Sequence, residues 1–224
     1  MEKKHKKKKL DIIYEDKDLL VINKPCKKLT IGTVKDKEHT LYHEASQYVK
    51  KQHPKNKIFI VHRLDKDTSG VVILAKNQKL KEQLQANWNN IAKREYLVLV
   101  EGHLKKKKDV LKNYLHETKT LDVFISNNSK DKLAITEYEV ISSNNNYSLL
   151  KVNIKTGRRH QIRAQLAYIG NPIVGDKKYK AKTNPFNRLM LHASRVLLKS
   201  LKNDNIYTFI AKNPTIFDNF IQKS

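Results

Sequence analysis

Residues 58–61 (IFIV) and 71–75 (VVILA) are continuous apolar runs of strand length, separated by the stretch HRLDKDTSG at 62–70. A strand with no polar residue on either side offers no face to water, so both runs are expected to be buried, with packing above and below. The loop between them is then held at the end of rigid elements, where its side chains can be aimed. Other segments supply the layers that such strands require. Ile12–Tyr14 and Leu19–Ile22 flank a polar turn at 15–18 and read as a β-hairpin ending at Pro25. Between Thr40 and His53, the residues Leu41, Ala45, Tyr48 and Val49 share one helical face, and Pro54 stops the helix. Leu80, Leu84 and Trp88 mark a second amphipathic helix capped by Asn77. Segments 94–102, 134–141, 147–154, 189–198 and 206–211 read as strands, and 160–170 as a helix closed at Gly170. The expectation is an α+β fold: a mixed, mostly antiparallel extended sheet flanked by helices. It occupies residues 11–224 as a single domain, behind a basic disordered tail at 1–10.

Charge narrows the kind of partner. The chain has 46 Lys or Arg against 22 Asp or Glu, a formal net charge of +24, which favours a polyanion. The excess is mostly lysine, accompanied by 20 asparagines, an enrichment that an AT-rich genome imposes on any surface. Residues 1–9 hold six lysines, and Lys105–Lys108 form a second run; both are expected to be mobile surface. No apolar stretch reaches the roughly 18 residues of a membrane span. The basic N-terminus leads into DIIYEDKDLL rather than an apolar signal core, so export is not expected and the cytoplasm is the expected compartment. A lone Cys26 supports neither a disulfide framework nor a zinc site. His39 and His43 stand four apart, but no acidic or thiol ligands accompany them, so no metal is expected.

Glycine and arginine locate a site. Four of the six glycines (70, 157, 170, 175) and four of the seven arginines (63, 158, 159, 163) fall in two blocks, HRLDKDTSG and TGRRHQIRAQLAYIGNPIVGD. Glycine there signals special backbone angles, and arginine in a lysine-rich chain signals a need for a planar fork. Asp65, in a polar loop between apolar strands, must be paired or become protonated, and Arg163 is its natural partner. Two readings stay open for Asp65: a nucleophile or base held ionised, or a loop carboxylate capping backbone N–H groups, a role that suits Asp67, Thr68 and Ser69. A Ser69–His62 nucleophile lacks an orienting third group. HRLD has neither the glycine-rich loop nor the DFG of a kinase. TGRRHQIR could hold phosphates at a helix start. The bland alternative is an amphipathic helix with Ile162, Leu166 and Ile169 inward and Arg163 and Gln165 in solvent.

These blocks, VHRLDKDTSGVVILAKN (61–77), REYLVLVEG, TGRRHQIRAQLAYIGNPIVGDKKY and LHASRVLL, together with YEDKDLLVINKP, resemble in order those of the RluA-type pseudouridine synthases over about residues 11–200. The resemblance implies the catalytic fold of that family and isomerisation of selected uridines in RNA, rRNA or tRNA, without metal, nucleotide or organic cofactor. It implies that Asp65 is the essential aspartate, that Tyr96 stacks on the uracil and serves in proton removal from carbon 5, and that Arg163 pairs with the aspartate. Arg63 matches a residue that helps displace the base. His62, Thr68, Arg158, Arg159, His160 and Gln161 are expected to contact RNA. A monomer is expected. Two departures stand out: KPCKKL lacks the glycine that often follows KP, and no small RNA-binding domain precedes the hairpin. The competing class is a non-catalytic RNA chaperone or assembly factor on the same fold; a DNA-binding regulator lacks any helix-turn-helix spacing.

Overall fold

The computed structural model describes residues 10–32, 38–203 and 205–221. The N-terminal segment 1–9 lies outside these, and Leu10 already packs against the main core. The elements run β1 (Ile12–Glu15), β2 (Leu19–Lys24), α1 (Leu41–Gln52), β3 (Phe59–Ile60), β4 (Ser69–Ala75), α2 (Gln78–Ile91), β5 (Ala92–Glu101), β6 (Lys108–Glu117), β7 (Val123–Ser126), β8 (Lys132–Ser143), β9 (Tyr147–Ile154), α3 (Gln161–Tyr168), β10 (Leu191–Lys199), β11 (Ile206–Ile210) and α4 (Thr215–Ile221). One sheet joins the strands in the order β1-β2-β4-β10-β5-β9-β8-β6-β7, with β11 beside β10 and β3 beside β4. Among the described strands only β4 and β10 pair in parallel, so the mixed, mostly antiparallel sheet is as the sequence leads one to expect.

Every residue of β4 is buried, and the reason is that the sheet is covered on both faces there. Val72 and Leu74 enter the larger core with Leu20, Ile22 and the Leu41, Ala45 and Val49 stripe of α1. Val71, Ile73 and Ala75 enter a second core with Leu84 of α2, Val196 and Phe209. Thr40 caps α1 by accepting the His43 N–H at 3.1 Å, and Asn77 caps α2 by accepting that of Leu80 at 2.8 Å. Gly70 is required where β4 meets β10: its φ is +116°, and a Cβ would stand 2.1 Å from the Ala193 carbonyl oxygen.

The run 58–61 behaves differently from β4. Ile58 and Val61 are buried, but Phe59 and Ile60 are only half-buried and pair with β4 over just two residues. The ladder stops there because the next N–H of β4, on Ile73, goes to the His62 side chain at 3.0 Å, and β10 joins β4 further on, at Ser69 and Gly70. Three elements lie outside the sequence expectation: β6, β7 and α4. Lys108, expected in mobile surface, opens β6 opposite Glu139, to which its Nζ lies at 2.8 Å.

Candidate active site

Four pieces of chain converge on one cleft of about 420 Å³. The loop between β3 and β4 brings Arg63 and Asp65, β5 brings Arg94 and Tyr96, the turn before α3 brings Arg158, and the first turn of α3 brings Arg163. Arg63 and Arg158 are exposed, whereas Tyr96 and Arg163 are 8% and 7% exposed.

Asp65 and Arg163, 98 residues apart, meet through Arg163 Nη1 and Asp65 Oδ2 at 3.3 Å. That contact is the weakest of three. Arg163 Nε donates to Asp176 Oδ2 at 2.7 Å, and Nη2 donates to Asp176 Oδ1 at 2.8 Å, the two-pronged geometry that suits a guanidinium to a carboxylate. Burial alone would lower the Arg163 pKa, but the hydrogen bonds and charges of Asp176 and Asp65 more than reverse it, so the guanidinium is held charged. The Tyr179 ring lies beneath it, 5.1 Å from guanidinium carbon to ring centre.

His160, with φ +50° just before α3, places Nε2 3.7 Å from Asp65 Oδ2. Burial pushes its pKa down to about 4, opposed by Asp65 and aided by Arg163, Arg159 and Lys178, so it is neutral near pH 7. Its Nδ1 is 3.1 Å from Tyr179 Oη, whose own proton goes to the Val123 carbonyl at 3.0 Å. The tautomer that satisfies both bonds carries its proton on Nδ1 and leaves a lone pair on Nε2 toward Asp65. Tyr96 is pushed up to about 12 by burial, with Arg94 opposing and Asp65 assisting, and so keeps its phenolic proton.

Several residues of the two blocks are engaged with the protein. His62 Nε2 accepts the Ile73 N–H at 3.0 Å, and its ring stacks on Trp88, centroids 4.6 Å apart; burial, then Arg94, push its pKa down to about 3. Gln161 is 3% exposed and uses both ends of its amide: Oε1 accepts from Thr156 and from the Arg158 N–H, and Nε2 donates to Ile135 and Thr136. Arg158 Nε donates to the Leu133 carbonyl at 3.0 Å, and Arg159 lies 3.8 Å from Glu117. Thr68 is buried, its N–H donating to the Asp65 carbonyl at 3.1 Å. Ser69 Oγ does not meet His62; it bonds His192 Nδ1 at 2.8 Å and accepts from Arg188 Nη2 at 2.7 Å.

The amphipathic reading of α3 needs correction. Ile162 and Leu166 are buried as expected, but Ile169 is 37% exposed while Gln165 is 0% and Arg163 7% exposed. Gln165 accepts from Thr136 Oγ1 at 2.7 Å and donates to Asn113 Oδ1 at 2.9 Å and to the Leu111 and Ala134 carbonyls. It latches α3 to β6 and β8, so its polar face is buried by hydrogen bonding rather than hydrated. The KPCKKL turn also resolves: Lys27 takes φ +64°, the left-handed conformation that glycine adopts freely. Lys24 Nζ ties this turn to the Asp65 loop, donating to the carbonyls of Pro25, Lys28 and Lys66.

Asp176 and Tyr179 escaped the sequence reading. Their signal was a carboxylate directly after Gly175, inside the arginine-rich block; Gly175 has φ +80°, and its missing Cβ would stand 2.1 Å from the Arg188 carbonyl oxygen.

A family model described as RNA pseudouridylate synthase matches residues 18–168. An uncharacterized RNA pseudouridine synthase of Mycoplasma genitalium is 35% identical over 196 residues, 84% of this chain and 61% of that protein. The ribosomal large subunit pseudouridine synthase C of Buchnera aphidicola is 36% identical over 227 residues, 94% of this chain and 69% of that protein. In several of these comparisons the chain spans about 61–63% of its relative's length. Among solved structures, human RNA pseudouridylate synthase domain containing 4 superposes with a TM-score of 0.80 at 22% identity, covering 95% of this chain and 92% of the other, a likeness of fold. No helix among the described residues is long and apolar enough to cross a membrane.

Proposed function

The chain belongs to the RNA pseudouridylate synthase family, and from that premise we propose that it isomerises selected uridines of structured RNA, ribosomal or transfer, to pseudouridine, with Asp65 as the essential carboxylate. One observation carries the reading: Asp65 stands in a cleft walled by the Tyr96 ring, with Arg163 3.3 Å away and itself clamped by Asp176.

The chemistry needs one carboxylate rather than two. Glycoside hydrolysis requires a second group to activate water; here no water enters, because the uracil leaves C1′ through N1 and rejoins it through C5. Asp65 acts on the ribose, as nucleophile at C1′ or as base, and Arg163 Nη1 sets a positive charge 3.3 Å from it. Atoms and electrons balance within the nucleotide, so no redox partner is consumed. Tyr96, which keeps its proton with a pKa near 12, suits a ring face against the uracil better than a proton acceptor. Extruding the base costs roughly a few kcal/mol, less in loops, and Arg63 and Arg158, exposed beside the cleft, offer contacts to phosphate that offset it.

The test is pseudouridine mapping of total RNA from cells lacking the gene, and from the same cells supplied with wild-type protein or Asp65→Asn. A uridine that loses modification on deletion and regains it only with the wild type is the expected result. Full restoration by Asp65→Asn, or no lost site at all, would overturn the proposal.

A further inference from the structure

Arg94 is a buried cation in the cleft, and among the described residues no carboxylate pairs with it. It is 6% exposed, lines the same cleft as Tyr96, and leaves the same face of β5 two residues earlier. Nη2 donates to Asn89 Oδ1 at 2.9 Å and reaches the Ile154 and Lys155 carbonyls at 3.4 Å. Nε is buried without a hydrogen-bond partner, and among the described residues Nη1 bonds nothing. Burial lowers the Arg94 pKa, and only the Tyr96 hydroxyl opposes this; no carboxylate does. Arg163, a few residues of cleft wall away, is neutralised by two. A buried guanidinium left so is costly, and an anion arriving with the substrate would remove that cost.

Gly157 makes room for Nη1 at the cleft wall. A Cβ on Gly157 would stand 2.8 Å from Arg94 Nη1, and no positive φ explains that glycine; space for the guanidinium does. Depth decides what reaches it. RNA phosphates stay with the backbone, where Arg63 and Arg158 are exposed, whereas an extruded planar base can enter as far as Arg94 and the Tyr96 ring.

We propose that Arg94 is a further catalytic residue, whose Nη1 faces a uracil carbonyl oxygen and whose charge stabilises the detached uracil anion. The proposal rests on the isomerase reading and deepens it. When the C1′–N1 bond breaks, its electron pair goes to the ring and spreads over N1, O2 and O4. The pair returns in the new C1′–C5 bond; the C5 proton is then lost and N1 gains one, so the composition is unchanged. During the interval the ring carries a negative charge and must not diffuse away. A fixed guanidinium meets both needs without reorganising.

Barbiturate, a planar uracil analogue that is anionic at neutral pH, imitates this state, and uracil is its neutral control. Binding of each to the full chain is measured by ligand-observed NMR. Barbiturate should bind at least about ten-fold tighter than uracil, and Arg94→Gln, which keeps hydrogen bonding and removes the charge, should bring the two together, with Arg94→Lys retaining part of the preference. Equal affinities in the wild type, no binding of either, or a preference unchanged in Arg94→Gln would overturn the proposal. Should Arg94→Gln fail to give a cooperative melt, Gly157→Ala decides: its methyl displaces Nη1, so a reduced preference supports the assignment and an unchanged one refutes it. No RNA target enters the measurement, so its failure leaves the isomerase reading standing, and failure of the RNA mapping leaves the measurement interpretable.

Discussion

Arg163 reaches Asp65 only after committing its better-placed donors to Asp176: 2.7 and 2.8 Å to Asp176 against 3.3 Å to Asp65. Asp176 therefore sets where the guanidinium sits. Asp176→Asn should release that fork, because the amide can turn a donor toward it, and a shift of about 1 Å at Asp65 costs roughly 10²-fold in rate. Single-turnover kinetics at saturating RNA, read beside the thermal midpoint, separate the two consequences. A lowered midpoint with an unchanged rate would make Asp176 a stability residue alone.

Arg163→Lys keeps a charge but not the fork. An ammonium can satisfy Asp176 or reach toward Asp65, but not both in the observed geometry. The single-turnover rate should drop about 10²-fold, while RNA affinity changes less than two-fold or so because Arg163 is 7% exposed and Arg63 and Arg158 hold the rim. A rate equal to wild type would show that charge alone suffices.

How much of this was legible depends on what each residue had to contact. The 71–75 run of β4 was legible because a stretch buried on both faces shows no polar residue, and Asp65 and Arg163 because scarce arginine and glycine gathered around them. β6 was not: only Leu111 and Leu115 are buried, spaced by four, so no alternation betrayed the strand, and a lysine run led into it. Gln165 was misread for a related reason. Helical periodicity assigns a polar residue to water, and only β6 and β8, once in place, provide the carbonyls and hydroxyl that bury it. Asp176 was missed because one carboxylate already satisfied the arithmetic of a pair; that a guanidinium fork can serve two carboxylates is visible only in space.

Lys27 holds a left-handed conformation, φ +64°, at the turn that Lys24 fastens to the Asp65 loop. The strain of a side chain there is roughly 1–2 kcal/mol, of which the greater unfolded-state freedom of glycine would take back about half. Lys27→Gly should thus stabilise the protein by about 0.5–1 kcal/mol, raising the thermal midpoint by roughly 1–4 °C. Calorimetry at fixed pH and salt checks this; a lowered midpoint would mean that the Lys27 side chain contributes more than its backbone costs.

Acid should unfold the protein through two histidines before the carboxylates are engaged. His62 is pushed down to about 3 by burial and Arg94, and His160 to about 4 by burial, against Asp65. Above the ordinary imidazole pKa, near 6.5, both are neutral folded and unfolded, and the stability that their neutral burial permits is fully present. As pH falls from there toward 4, the unfolded chain takes up two protons that the fold refuses, so stability declines with a slope approaching about 2.7 kcal/mol per pH unit. His62→Gln retains an acceptor for the Ile73 N–H, and His160→Asn tolerates the φ of +50°. Each should remove about half the slope in urea titrations between pH 7 and 4.5. If the double variant keeps the wild-type slope, the acid sensitivity lies elsewhere than in these two imidazoles.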